Sequence, residues 1–243
     1  MDTSHRQVRV LPDPEAVALE AAGHLVRCAA EAVGDRGRFV VALSGGSTPQ
    51  LLYRLLAGER WRSLVPWEAT QVLFADERCV PPDHADSNWR MVWETLLSRV
   101  PVVAANVHRM RGEEAPHAAA EAYERQVAAL LGSEPRLDLA LLGMGADGHT
   151  ASLFPGTAAL EETERLVVAN HVPAVGAWRL TMTYRLLSAA ADVLFLVTGA
   201  AKTQAVRGVL QGSREPRSMP AARVLAAHGR VLWLLDEAAA PKS

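Results

Sequence analysis

Cysteine is scarce: Cys28 and Cys79 are the only two in 243 residues. Two thiols make no disulfide framework, and a free pair in a reducing compartment is the simpler reading. Long apolar runs are missing as well. No stretch approaches the roughly 18 residues of a membrane span. Met1 to Pro14 is polar and charged, without the apolar centre of a signal peptide. Charge of one sign does not dominate either, since 25 Lys and Arg stand against 27 Asp and Glu for a net charge of −2. That balance excludes a strongly basic nucleic-acid binder and an acidic solvating tail. Aromatic residues are 5% of the chain, and the six tryptophans (61, 67, 89, 93, 178 and 233) form no stacking ladder. They are expected mostly in the core or a groove wall. Metal-ligand spacing is not found: the nearest two histidines are His108 and His117, and no Cys or His cluster is read as a ligand set. Repeats and low-complexity tracts are absent. The expectation is a cytoplasmic protein without nucleic-acid or membrane partners, a monomer, with an oligomer left open.

What is present is a globular composition, 49% hydrophobic and 21% charged. The length suits one large α/β domain or two small ones. No linker divides the chain, so residues 1–243 are read as one domain. Apolar runs at 38–43, 71–74, 137–142, 179–183, 192–197 and 230–235 read as buried strands, mostly continuous rather than alternating. Helical spacing fills 14–33, where Asp13-Pro14 makes a good start, and 49–57, 87–99, 116–131, 200–210 and 220–227. Residues 111–116 and 211–220 read as loops. The N-terminal dozen residues are expected to be mobile, from position alone. Strand and helix alternate, which predicts an α/β fold with a mainly parallel sheet. Ligands in such folds bind beyond the carboxyl ends of strands.

Three strand ends carry chemistry. After Leu43 comes Ser44-Gly45-Gly46-Ser47-Thr48-Pro49 and a helix. The glycines allow a tight turn and close backbone approach. Ser47 or Thr48 can cap the helix, and its N–H groups and dipole make an anion site. The G-x-x-x-x-G-K-[ST] spacing of a P-loop is absent. After Phe74-Ala75 comes Asp76-Glu77-Arg78, a solvated loop on the plainest reading. If the chain stays extended, Asp76 and Arg78 share a side, and Arg78 can hold a phosphate or carboxylate. Ser87 is the candidate cap of the next helix.

After the third strand lies Gly143-Met-Gly145-Ala-Asp147-Gly148-His149-Thr-Ala-Ser-Leu-Phe154-Pro155-Gly156. Gly143, Gly145 and Gly148 match a dinucleotide fingerprint literally. Pro155 interrupts the required helix, and no strand ends at Glu162 or Glu164, so an NAD(P)-linked enzyme is the weaker reading. His149 is the candidate general base, because imidazole titrates near neutrality. Asp147 can orient its ring or polarise water. Two cations complete the set: Arg179, opening a strand, and Lys202, one turn into a helix after Thr198-Gly199. A cation there opposes the helix dipole, and an anionic ligand would offset that.

Together SGGSTP at 44–49, DERCVP at 76–81 with SN at 87–88, GMGADGHTASLFPG at 143–156 and TGAAK at 198–202 resemble the 6-phosphogluconolactonase family. The resemblance implies a Rossmann-like three-layer fold with a parallel sheet between helices. It also implies hydrolysis of 6-phospho-D-glucono-1,5-lactone to 6-phosphogluconate in the oxidative pentose phosphate pathway, with no metal or organic cofactor. The related glucosamine-6-phosphate deaminases share SGGSTP and the GxGxDGH loop. They typically carry Asp-Glu-Tyr where this chain has Asp76-Glu77-Arg78. They also carry Asn-Glu-Pro where it has Leu153-Phe154-Pro155, so the Glu that assists their ring-opening His is missing here. On the lactonase reading His149 is base toward water and then acid toward the ring oxygen. The phosphate sits on the Ser44–Thr48 turn, with Arg78 and either Lys202 or Arg179 neutralising its charge; which of these cations faces the carbonyl oxygen instead is left open, and Asp76 stands with Arg78 at the mouth of the site. A non-catalytic sugar-phosphate-binding protein on the same fold is the remaining alternative.

Overall fold

The computed structural model describes residues 6–210, 218–226 and 229–241. Six strands form a wholly parallel sheet: β1 (Arg6–Leu11), β2 (Phe39–Leu43), β3 (Thr70–Phe74), β5 (Leu139–Leu142), β8 (Asp192–Val197) and β9 (Arg230–Asp236), in the spatial order β1-β9-β8-β5-β2-β3. The helices are α1 (Pro14–Arg36), α2 (Ser47–Leu56), α3 (Glu59–Arg62), α4 (Asn88–Thr95), α5 (Pro116–Leu131), α6 (Tyr184–Leu187) and α7 (Thr203–Leu210). The expected α/β architecture holds. Every residue of β2, β5 and β8 is buried, which explains their unbroken apolar sequences. On β8 and β9, Phe195 and Trp233 are register partners and stack with centroids 3.8 Å apart.

α1 starts and stops where its sequence dictates. The Asp13 side chain accepts from the Ala16 N–H at 2.8 Å, Pro14 fills the first turn, and Gly37 ends the helix at φ 70°. That left-handed conformation is open to glycine at little cost. Ser87 caps α4 as expected, accepting from the Arg90 N–H at 3.2 Å.

Several expectations are corrected. Arg6–Leu11, assigned to a mobile terminus, is a strand paired along its length with β9. The run at 179–183 is not in the parallel sheet. It belongs to β7 (Ala177–Met182), the centre of a second, antiparallel sheet with β4 (Asp76–Arg78) and β6 (Val167–Val172). The stretch 220–227 makes only a 3-10 turn over Pro220–Arg223, and Ala227 lies outside the described residues, as does 211–217 of the expected loop. Trp93 and Trp178 are exposed rather than core. Among the described residues, no helix is long and apolar enough to cross a membrane.

The chain leaves β2 toward β3 on one side, then returns to β5, β8 and β9 on the other. The direction of winding reverses between β2 and β5, and such reversals open a crevice at the carboxyl ends of the strands.

Candidate active site

Because β8, β5 and β2 are neighbours, their carboxyl ends bring together Thr198 to Lys202, Gly143 to His149 and Ser44 to Thr48. These segments line one open cavity, and Asp76, Arg78 and Asn88 close its rim from β4 and α4.

The first wall is the turn into α2. Its N-cap is Gly46, at φ 107°, with no capping side chain. The expectation that Ser47 or Thr48 caps is thereby corrected: both lie in the first turn and face the cavity with uncapped amides around them. Thr48 Oγ1 instead meets Thr198 Oγ1 at 2.7 Å, tying the end of β2 to the end of β8. The Ser44 hydroxyl donates to the Leu141 carbonyl at 2.8 Å, and the Tyr53 hydroxyl donates to the Ser44 carbonyl at 2.7 Å. Ser44 thus fixes the turn to β5. Gly45 is required by its neighbour, because a Cβ there would fall inside the Asn88 side-chain amide.

The second wall is β4, where an extended backbone sends alternate side chains to opposite faces. Asp76 and Arg78 both line the cavity, as the spacing anticipated. Asp76 is buried, with Oδ2 accepting from Ser152 Oγ at 2.7 Å and its carbonyl accepting from Asn88 Nδ2 at 2.9 Å. Glu77 points the other way and is also buried. It accepts from the N–H groups of Arg78, Asn88 and Trp89 at 2.7–2.8 Å. Burial raises the Glu77 carboxyl above its ordinary pKa, with those N–H bonds pulling the other way. The sequence reading left this residue without a role; it anchors the start of α4 beneath Asp76.

The third wall is the loop after β5. His149 Nδ1 lies 2.5 Å from Asp147 Oδ1, which also accepts from the His149 N–H at 3.1 Å. Burial works to raise the Asp147 carboxyl, but its bonds to His149 override that and hold it below the ordinary carboxylate range. His149 lines the cavity; Asp147 stands behind it. Phe154 covers one face of the imidazole, with ring centroids 3.9 Å apart. Gly145 passes so close that a Cβ would collide with His149 Nδ1 and Asp147 Oδ1. Beside them Ala151 holds a left-handed φ of 47°, rare outside glycine and a mark of local strain. Asn88 and Ser152 were not named as site residues from the sequence, although both lie inside the motifs.

The cations divide. Lys202 sits in a 3-10 turn before α7, rather than within that helix, and lines the cavity. Arg78 lines it too, with Nη1 donating to the Asp86 carbonyl. Among the described residues neither has a carboxylate partner. Arg179 is not among the residues lining the cavity; it is the register partner of Arg78 across the β4–β7 pair. Burial first, then the Arg78 charge, lowers the Arg179 pKa. Like charges directly opposite on a sheet are unfavourable, and an anion beside them relieves the repulsion.

The glucosamine-6-phosphate isomerase/6-phosphogluconolactonase family model matches residues 12–233. The chain belongs to that family. The 6-phosphogluconolactonase of Nostoc sp. is 39% identical over 239 residues, 96% of this chain and 97% of its own. That of Synechocystis sp. is 42% identical over 214 residues, 86% of each chain. The solved 6-phosphogluconolactonase of Trypanosoma cruzi superposes with a TM-score of 0.85 at 31% identity, covering 97% of both chains. The family's deaminase and lactonase branches differ, on the sequence reading, at the residue after Leu153. Here that residue is Phe154, whose ring stacks on the His149 imidazole.

Proposed function

We propose that this chain hydrolyses 6-phospho-D-glucono-1,5-lactone to 6-phospho-D-gluconate, the lactone step of the oxidative pentose phosphate pathway. The observation that carries this reading is one cavity lined by two unlike sets of groups. The first is a carboxylate-oriented imidazole; the second is an uncapped helix start with Arg78 and Lys202, neither of which has a carboxylate partner among the described residues. The second set suits a phosphate. The first suits acid–base work on a carbonyl.

In the mechanism we infer, Asp147 holds His149 Nδ1 and leaves Nε2 to take a proton from water. The water attacks the lactone carbon, and the tetrahedral oxyanion is stabilised by a cation or backbone N–H at the rim. The intermediate collapses with cleavage of the bond from that carbon to the ring oxygen. The proton on Nε2 passes to this leaving oxygen, and the carboxylic acid so formed releases its remaining proton to solvent to give the carboxylate product. Phosphate binding by the α2 turn, Arg78 and Lys202 holds the carbonyl against His149, so remote binding energy serves orientation. Arg179 serves the same charge from behind Arg78.

The test is direct. Freshly made lactone is followed by a coupled 6-phosphogluconate dehydrogenase, with spontaneous hydrolysis subtracted, and glucosamine 6-phosphate is run in parallel. Acceleration of the first, with no ammonia from the second, is the expected result. Ammonia release without lactone acceleration would establish the deaminase instead. Binding without turnover of either would leave a sugar-phosphate-binding protein.

A further inference from the structure

β8 has a second chemically distinct end. Its carboxyl terminus meets the cavity just described, while Asp192 opens the strand about 16 Å away at roughly 3.3 Å per residue. There Asp192, 7% exposed, meets His24 and Cys28, each 6% exposed, which lie one turn apart on the buried face of α1. One ligand atom from each of the three lies within 4.8 Å of the other two. His24 and Cys28 are spaced i, i+4, a pattern that counting histidine pairs alone passes over. The expectation that no Cys or His cluster has ligand spacing is corrected here.

The His24 Nε2 atom is the second, independent observation. It is buried and makes no hydrogen bond of good geometry; its one close partner is Asp192 Oδ1, an ion-pair contact at 3.3 Å. A buried polar atom without a good hydrogen bond is costly. A separation of about 3.3 Å is also that of two ligands held about 2.0 Å from one tetrahedral ion. Cys28 Sγ needs an approach of roughly 1 Å to complete the set. Arg230 donates to both Asp192 oxygens, at 3.0 and 3.2 Å, and ligating carboxylates are commonly fixed by such outer bonds. A separate cavity, lined by His24, Cys28, Arg27, Glu31 and Arg230, opens against the cluster and gives access from solvent.

We propose that His24, Cys28 and Asp192 bind a divalent cation of the zinc class, with a fourth position open to this cavity for water. The thiolate and carboxylate balance the charge of the ion, and Glu31 and Arg230 line the same cavity beside them. Burial, and then the Asp192 charge, push the Cys28 thiol up to about 12, so it carries its proton when no ion is bound. Binding therefore releases that proton to solvent. The ion lies too far from the carboxyl end of β8 to touch the lactone. It clamps α1 to the start of β8.

The experiment uses the full chain, stripped with a chelator and titrated with Co2+. One Co2+ per chain is expected, with a thiolate-to-cobalt absorption in the near ultraviolet, tetrahedral visible bands, displacement by Zn2+ and a raised Tm. Cys28→Ser should abolish the thiolate band, Cys79→Ser should keep it, and His24→Gln should weaken binding by about tenfold or more. Circular dichroism establishes that each variant is folded, and either Cys28→Ser or His24→Gln is sufficient alone. No thiolate band in the native chain, a band that survives Cys28→Ser, or undiminished affinity in His24→Gln would overturn the proposal.

Discussion

Asp147 and His149 are bonded twice through one oxygen: Asp147 Oδ1 accepts from the His149 backbone N–H and also faces its ring Nδ1 at 2.5 Å. The double contact fixes both the backbone and the ring of His149. Phe154 then closes one face of the ring, so the imidazole has little rotational freedom left.

Replacing His149 by Ala removes the proposed base without disturbing the phosphate-binding groups of the cavity. We expect kcat to fall about 10²–10⁴-fold, the usual contribution of a general base, with KM changed little. Steady-state kinetics on the lactone check this. A near-native kcat would remove His149 from the chemistry.

Asp147 links the same pair to pH. Its folded pKa is depressed, because the His149 bonds outweigh burial. The stabilisation is therefore present above the unfolded value near 3.9 and is lost as pH falls through the lower folded value. The Tm difference between the native chain and Asp147→Asn should be steady above about pH 5 and shrink below about pH 4. A difference that grows on acidification would contradict the assignment.

The cations are separable by kinetics. Arg78→Ala and Lys202→Ala should each raise KM about 10–100-fold, the range of a lost charge-assisted hydrogen bond, with a smaller effect on kcat. Arg179→Ala should raise KM less, since Arg179 reaches the site only through its opposition to Arg78. An unchanged KM in Arg78→Ala would place the phosphate elsewhere.

Glu77 is a test of the scaffold. Its truncation to Ala leaves the backbone N–H groups of Asn88 and Trp89 at the start of α4, and that of Arg78 on β4, without their acceptor. At about 1–3 kcal/mol for each buried unsatisfied group, we expect a loss of several kcal/mol, visible in urea unfolding. A loss below about 1 kcal/mol would mean that water replaces the carboxylate there.

Much of this was legible from local chemistry. Asp13, Pro14 and Gly37 mark α1 because caps and a left-handed stop are encoded within one turn of each end. The runs of β5 and β8 read as strands because both their faces are covered. The small antiparallel sheet was not legible as a sheet. β6 contains Asn170, a buried polar residue whose amide nitrogen donates to the Ser152 carbonyl and to Thr157 Oγ1. β1 is polar because it edges the sheet, and Val8 and Val10 stay exposed on it. Within the site, Asp147, His149, Arg78 and Lys202 were readable from motif and strand end. Asn88 and Ser152 act on Asp76 from other elements, a relation that no local spacing reveals.

The close approach of Asn88 to Gly45 makes the two positions one unit of inheritance. A side chain at 45 demands a shorter residue at 88, and a shorter residue at 88 releases the carbonyl of Asp76. Neither position can drift alone. A library randomised at both should therefore return variants in coupled pairs, with Gly45→Ala tolerated mainly where position 88 has also been cut back.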